Sequence, residues 1–230
     1  MKINYILFAA VVGSAILMLE TQVITAQSSE SNNLPHFLFP EFSEGVVIMK
    51  DDKPFSTMLN YNLLEQRLVT EFNGTYRYSR DPALIDSVLI GDRVFIPVEG
   101  KFYEVISRGR FTFLVQHRAT LIEEGDDVGY GVKSQSTGPT QHRRFEMNSY
   151  WGNVAYLDIP AGGKVKTAPV FWVRQGTGLE KFSNAKQLMK IIPSHKEQIR
   201  NYNENEKINF KSPEDVNRLG KYLNTLAGGN

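Results

Sequence analysis

Hydrophobic and polar residues alternate in short runs along the middle of the chain, from about residue 46 to residue 122. The clearest run covers residues 110–122, where one set of alternate positions is mostly hydrophobic and the other is mostly polar. A period of two is typical of a strand with one buried face and one solvent-exposed face. Tight turns such as Asn73-Gly74 and Gly91-Asp92 separate the runs, and Asn-Gly is a strong hairpin signal.

Sequential strands joined by tight turns indicate antiparallel pairing, because a parallel pair would need a long crossover connection. We therefore predict a mainly β (α+β) fold in which roughly seven strands form an antiparallel meander, folded as a sandwich or a partly closed barrel. A long polar loop over residues 123–148 interrupts this pattern, and such loops are usually functional or disordered. Two more strands are predicted after the loop, at residues 153–159 and 170–174.

Helical periodicity replaces the alternation towards the C-terminus. The hydrophobic residues of segment 185–192 are spaced i, i+3, i+4 and i+7, which is typical of an amphipathic helix. Ser194 with Glu197 matches a capping box, and Ser212-Pro213 matches a capping serine followed by proline at the first helical position. We predict three short helices in a C-terminal segment, residues 175–230, that packs on a β domain formed by residues 36–174.

The N-terminus predicts export. Lys2 precedes an apolar stretch over residues 5–19, and Ala26 offers a small residue at a cleavage position. This pattern is typical of a signal peptide, here residues 1–26, and the stretch of about 15 residues is shorter than a membrane-spanning helix requires. Residues 27–35 are polar and are predicted to form a flexible leader. The mature protein is expected in the periplasm or at the cell surface, soluble and without a lipid anchor.

The composition and net charge argue against several classes of function. The 230 residues include no cysteine and carry a formal charge of +1, from 26 Lys+Arg against 25 Asp+Glu. Without cysteine there can be no disulfide, thiol nucleophile or cysteine-based metal site. The near-neutral charge argues against a nucleic-acid partner, because nucleic-acid-binding proteins are normally strongly basic. The four histidines lack the spacing of a zinc site and no cofactor or catalytic motif is found, so we expect no metal, no cofactor and no assigned catalytic residue.

Three residues are candidates for a ligand site in, or at the mouth of, the β-unit. His117 falls on the hydrophobic side of its strand, Glu104 lies in a strand expected to be buried, and Trp151 follows the long loop. A buried histidine or carboxylate can bind a ligand or transfer a proton, and a tryptophan can stack on a sugar ring. The alternatives are a core histidine, an ion pair between Glu104 and an arginine such as Arg93, and a core aromatic residue.

Basic residues are candidates for partner binding in two places. Arg143 and Arg144, in the long loop, could receive a phosphate or carboxylate. The last 50 residues contain nine Lys+Arg against five acids. Within them Lys186, Lys190 and Lys196 are candidates for a surface that docks an acidic partner or anionic headgroups. The alternative in both places is an ordinary solvated surface.

Several short sequence motifs that occur together suggest a resemblance to a class of known proteins. They are Gly45-Val46-Val47, Leu59-Asn60-Tyr61-Asn62, Phe95-Ile96-Pro97, Phe102-Tyr103-Glu104-Val105, Phe182, Lys186-Gln187-Leu188-Met189-Lys190, Pro193, Glu214-Asp215-Val216 and Tyr222. With them the chain resembles uncharacterised exported proteins of Gram-negative bacteria, in which a β-meander precedes a Lys-rich helical tail. The resemblance covers most of the mature chain and implies no activity. Asp86-Ser87-Val88 also resembles a tripeptide that some such bacteria O-glycosylate, which makes Ser87 a candidate for modification.

Two functions from different classes follow. The leading hypothesis is a non-enzymatic, envelope-associated interaction or structural module whose partner is an envelope protein or a glycan. The alternative is a small-ligand or glycan binding protein, or, less favoured, a hydrolase, with its site at the β-unit. A roomy polar cavity would favour the binding protein, and a filled core would favour the interaction module.

Overall fold

The computed structural model describes residues 34–79, 81–122, 159 and 163–228. Several of the predictions fall outside these residues. They are the signal peptide 1–26, nearly all of the leader 27–35, the loop 123–148 with Arg143 and Arg144, Trp151, and most of the strand 153–159. Among the described residues, no helix combines the length and the apolar character needed to cross a membrane.

The described residues contain one large antiparallel sheet and one small one. In chain order the strands are β1 Ser43–Met49, β2 Phe55–Asn62, β3 Arg67–Phe72, β4 Thr75–Tyr78, β5 Ile85–Ile90, β6 Arg93–Val98, β7 Lys101–Ser107, β8 Thr112–Gln116, β9 Ala119–Ile122, β10 Lys164–Thr167, β11 Val170–Gln175 and β12 Gly178–Phe182. The large sheet has ten strands in the order β12-β11-β8-β7-β6-β5-β1-β2-β3-β4, and β9 pairs with β10. The predicted mainly β, antiparallel fold is confirmed.

Three α-helices close the described chain: α1 Ala185–Ile191, α2 Lys196–Glu206 and α3 Pro213–Gly228. The short helical segment predicted at the C-terminus is therefore present. The sheet nevertheless continues past the predicted boundary at residue 174, because β12 pairs with β11 as far as Phe182. A two-residue turn closes this hairpin, and its first residue, Gly176, has a φ of 58° that glycine adopts without strain.

The run predicted as one strand over residues 110–122 is two strands. β8 ends at Gln116 and β9 begins at Ala119. The backbone N–H of Ala119 donates to the carbonyl of Leu63 at 2.9 Å, which draws the chain away from β7 and towards the β2–β3 turn. His117 and Arg118 therefore occupy a break between two strands, where side chains need not alternate between faces.

Three hydrophobic clusters are found among the described residues, and the two larger ones span most of the sheet. On one half of the sheet the helices cover β8, β11 and β12, and Phe113 packs in the same cluster as Leu219 of α3. On the other half the sheet bends so that Tyr61 of β2 packs with Phe95 of β6. The bend does not close a barrel, so the architecture agrees with the predicted sandwich or partly closed barrel.

The segment just before β1 lies along the sheet. Phe37 forms an isolated bridge with Asn62, and the side chain of Asn60 makes hydrogen bonds to the backbone of Phe39 and Glu41. Because Asn60 is fully buried, these bonds hold the segment in one place rather than leaving it to solvent.

The helix starts agree with the predictions in one case and differ in another. At α3, Ser212 Oγ accepts a hydrogen bond from the backbone N–H of Asp215 at 3.2 Å, as the capping prediction requires. At α2 the predicted capping box is wrong, because Pro193 begins a short 3₁₀ turn that contains Ser194. The hydroxyl of Ser194 lies 2.9 Å from Nδ1 of His195, and no side chain caps α2.

Candidate functional site

A buried polar cluster joins three strands at one end of the sheet. Arg93 begins β6, Glu104 lies in β7, and His117 follows β8. Phe95 is the register partner of Glu104, so Arg93 lies two positions away on the same face as the carboxylate. Glu104 and His117 are only 8% and 7% exposed. The pattern of alternating strands thus brings a cation, an anion and an imidazole together out of contact with most solvent.

The carboxylate of Glu104 is the centre of this cluster. Arg93 donates two hydrogen bonds to it, from Nε to Oε1 at 2.8 Å and from Nη2 to Oε2 at 2.5 Å. This fork geometry is the strong form of an arginine–carboxylate pair. The ion pair that the sequence offered as an alternative reading of Glu104 is therefore present. The guanidinium also stacks 4.9 Å from the ring centroid of Phe39, which shields it further.

The imidazole of His117 makes the third contact of the carboxylate. Nε2 lies 2.5 Å from Glu104 Oε2 and 3.0 Å from Arg93 Nη2. A carboxylate only accepts and a guanidinium only donates, so the shorter contact assigns the Nε2 proton to the bond with Glu104. Nδ1 of His117 has no hydrogen-bond partner among the described residues.

Opposing effects act on the pKa of Glu104. Burial alone raises the pKa of this carboxyl, because the charged form is separated from water. Hydrogen bonds from His117 and Arg93, together with their charges, outweigh burial and hold the pKa of Glu104 below its ordinary value. Glu104 is therefore ionised at neutral pH and paired with Arg93, which leaves it poorly suited to act as a general acid.

Tyr61 fixes the position of His117. The tyrosine is fully buried, and its hydroxyl lies 3.0 Å from the carbonyl oxygen of His117 and 3.2 Å from that of Phe102. Burial raises the pKa of Tyr61, so the hydroxyl keeps its proton as a donor. This contact joins β2 to the chain that follows β8 and stabilises the break in which His117 lies.

A cavity of about 530 Å³ adjoins the cluster. Its lining combines residues of the segment before β1, the β-strands and their turns, and the start of α3. They are Pro35, Phe37, Leu38, Leu63, Asp92, Arg93, Glu104, Ile106, His117, Arg118, Thr167, Pro169, Lys211, Pro213, Glu214 and Asn217. Both candidates from the β-unit that the structure describes, Glu104 and His117, lie in this lining.

The lining combines apolar and polar side chains. Phe37, Leu38 and Leu63 contribute apolar groups, here called the apolar wall, and the Arg93–Glu104–His117 cluster contributes polar ones. Arg118 and Lys211 contribute cations. Seven of the lining residues are apolar and nine are polar or charged, and a cavity of this volume lies within the range of small-molecule sites.

The other predicted site residues lie elsewhere. Lys186 and Lys190 are exposed on α1 and Lys196 is exposed at the start of α2, so the structure gathers them on the helices and away from the cavity. Ser87 is 8% exposed in β5, between β1 and β6, and its hydroxyl donates to Asp86 at 3.1 Å. A hydroxyl in this position has little access for an enzyme that attaches a sugar.

Sequence reasoning missed Arg118, Lys211 and Asn217. The alternation over residues 110–122 assigns Arg118 to the polar face of a strand. Lys211 and Asn217, just before and within α3, belong to no recognisable motif. The sequence signal nearest to Lys211 and Asn217 is Ser212-Pro213, which marks the start of α3 but does not indicate a cavity. Nothing in the described ranges groups three or more histidine, cysteine or acidic side chains closely enough to hold a metal ion.

Comparison with known proteins adds no relative: the chain matches no family model, no curated protein and no solved structure.

Proposed function

We propose that this chain is an exported protein that binds a small molecule in the cavity beside the Arg93–Glu104–His117 cluster. The observation that carries the proposal is the cavity itself, about 530 Å³, into which the buried cluster of Arg93, Glu104 and His117 opens. The size lies within the range of small-molecule sites. A roomy cavity with fixed polar groups is the feature that favours a binding protein over an interaction module.

The polar groups beside the cavity are held in fixed positions, which supports the proposal. Glu104 holds both Arg93 and His117 by short hydrogen bonds, and Tyr61 holds the backbone at His117. Groups fixed in this way lose little conformational entropy when a ligand arrives, so more of the interaction energy appears as affinity. A polar network with no binding role would be expected in a filled core rather than beside a cavity.

The basic helical surface gives weaker support to the interaction hypothesis. Lys186, Lys190 and Lys196 are exposed, as a docking surface requires, but a solvated helix surface has the same property. We therefore rank a protein or glycan contact through these lysines below ligand binding. Export remains a proposal drawn from residues 1–26, and it places the ligand in the periplasm or outside the cell.

A fragment screen with a cavity-filling variant tests the proposal. Thr167 and Thr120 are exposed threonines in the two strands of the small sheet, and of these two only Thr167 lines the cavity. Fragments that stabilise the native protein in a thermal-shift assay should be found, and Thr167→Trp should abolish their effect. Thr120→Trp is the matched control and should leave it unchanged.

The same screen can refute the proposal. If both tryptophan variants bind every fragment as well as the native protein does, the cavity is not the binding site. If no fragment shifts the melting temperature and the lysine variants Lys186→Glu, Lys190→Glu and Lys196→Glu lose a crosslinked partner, the interaction module is the better account.

A further inference from the structure

Two cations at the cavity have no anionic partner among the residues that the structure describes. Arg118 donates from Nε to the backbone carbonyl of Ala168 at 3.0 Å, and its terminal amino groups make no hydrogen bond within the described part of the chain. Lys211 is exposed, and its ammonium has no ion-pair partner there either. Since Arg93 is already neutralised by Glu104, the cationic groups left for a ligand are Arg118 and Lys211.

Two acids at the same cavity also lack a cationic partner within the described part of the chain. Asp92, in the turn between β5 and β6, makes no side-chain hydrogen bond within the described residues. Glu214, in the first turn of α3, accepts a hydrogen bond from the hydroxyl of Ser212 at 2.8 Å but forms no ion pair there. The lining therefore offers two free negative groups as well as two free positive groups.

The apolar wall limits the shape of a ligand. Phe37, Leu38 and Leu63 line the cavity together with Ile106, and of these Leu38 and Ile106 are the partly exposed ones. A ligand that buries a hydrophobic side chain there gains free energy in proportion to the apolar area removed from water. Small inorganic ions and sugars without an apolar face would leave this wall unused.

We infer that the cavity takes a zwitterion with an apolar side chain, namely a hydrophobic α-amino acid or a short peptide that carries one. Arg118 and Lys211 bind its carboxylate, Asp92 and Glu214 bind its ammonium group, and the apolar wall receives its side chain. The inference rests on the proposed function and assigns the chemical class of its ligand.

Matched probes separate the two charges of the ligand. L-Phenylalanine carries both charges, 3-phenylpropionate lacks the ammonium group, and phenethylamine lacks the carboxylate. L-Leucyl-L-phenylalanine distinguishes a short peptide from a free amino acid. Titration calorimetry or ligand-observed NMR on the native chain should show that a zwitterionic probe binds about three- to tenfold more tightly than either singly charged analogue, as expected for partly exposed charge contacts.

Charge-removing variants should act on one end of the ligand each. Lys211→Gln should weaken L-phenylalanine and 3-phenylpropionate by about three- to tenfold and leave phenethylamine unchanged. Asp92→Asn should weaken L-phenylalanine and phenethylamine and leave 3-phenylpropionate unchanged. Lys221→Gln and Glu180→Gln remove exposed charges outside the cavity and should change no affinity.

The outcomes distinguish this inference from the proposed function. It is overturned if 3-phenylpropionate or phenethylamine binds as tightly as the zwitterions, if neither zwitterion binds, or if Lys211→Gln weakens all three phenyl probes equally. In each of these cases the proposed function stands as long as Thr167→Trp still blocks other fragments. Tighter binding of the dipeptide than of the amino acid, or the reverse, supports the inference and identifies the natural source.

Discussion

Replacing Glu104 with glutamine isolates the role of the buried charge. The substitution keeps the length and shape of the side chain and removes the negative charge that Arg93 and His117 share. In the native chain the side chain of Glu104 is 10% exposed and that of Arg93 is 27% exposed. After the substitution the Arg93 guanidinium loses its counter-ion. The glutamine amide also carries an NH₂ group, which cannot accept the hydrogen bonds that Arg93 and His117 donate to the carboxylate.

The size of the effect follows from these contacts. Removing one partner of a buried ion pair costs about 3–5 kcal/mol, because the other charge is left uncompensated. Arg93 retains some access to water and stacks on Phe39, so part of that cost is avoided. We expect Glu104→Gln to lower the free energy of unfolding by about 2–3 kcal/mol, which corresponds to a melting temperature lower by roughly 5–10 °C for a chain of this size.

The pH dependence gives the effect a second signature. Because the pKa of Glu104 in the folded protein lies below its ordinary value of 4.5, its ionised form is favoured by folding. Its contribution is therefore complete above about pH 4.5 and is lost as the pH falls through the lower folded pKa. The part of the stability difference between the native protein and Glu104→Gln that comes from the ionised carboxylate should shrink as the pH falls through the folded pKa of Glu104.

Urea unfolding followed by circular dichroism measures both signatures. Glu180→Gln, on the exposed strand β12, is the control for removing a carboxylate and should change stability by less than about 0.5 kcal/mol. A loss for Glu104→Gln no larger than that of the control would show that the cluster adds little stability. A loss that grew as the pH fell below 4.5 would show that the charge of Glu104 is not its origin.

Two further substitutions test the packing that positions the site. Gly220→Ala in α3 should destabilise the protein by about 0.5–2 kcal/mol in urea unfolding, because the added methyl group would lie 2.8 Å from a ring carbon of Phe113 and the gain in helix propensity only partly offsets that clash. Gly228→Ala, which meets open space, is its control, and equal stability of the two variants would contradict the close packing. Tyr61→Phe should lower the free energy of unfolding by about 1–2 kcal/mol in the same assay, because it removes the hydroxyl that lies 3.0 and 3.2 Å from two buried carbonyl oxygens. An unchanged urea midpoint would mean that this hydroxyl does not stabilise the break after β8.

The strands and turns were predictable from the sequence because their causes are local. Alternation decides which side chains are buried, and Asn73-Gly74 closes a two-residue hairpin in which φ is 51° and 71°, the left-handed region that these residues tolerate best. The edge strand β12 was missed for the opposite reason. Of its five residues only Phe182 is buried, so backbone pairing with β11 stabilises it and no hydrophobic pattern marks it.

The buried cluster was predictable only in part. Arg93 and Glu104 lie on adjacent strands of one hairpin, so their pairing follows from a short connection and was available as an alternative. The contact between His117 and Glu104 also needs the chain to leave β8 at the correct residue. That depends on Tyr61 and on the carbonyl of Leu63, more than 50 residues earlier in the chain, and no local pattern contains this information.

The cavity was the least predictable feature, and the break after β8 explains why. In a regular strand His117 and Arg118 would point to opposite faces, one to the core and one to solvent, which is how the alternation of residues 110–122 assigned them. The break places both side chains in the lining of one cavity. The apolar wall, which comes from the segment before β1 and from Leu63 after β2, reaches the same place as the residues at the start of α3 through long-range packing. Strand periodicity assigns each side chain to one of two faces, and that assignment fails where the strand is interrupted. A binding site formed at such an interruption cannot be predicted from the periodicity.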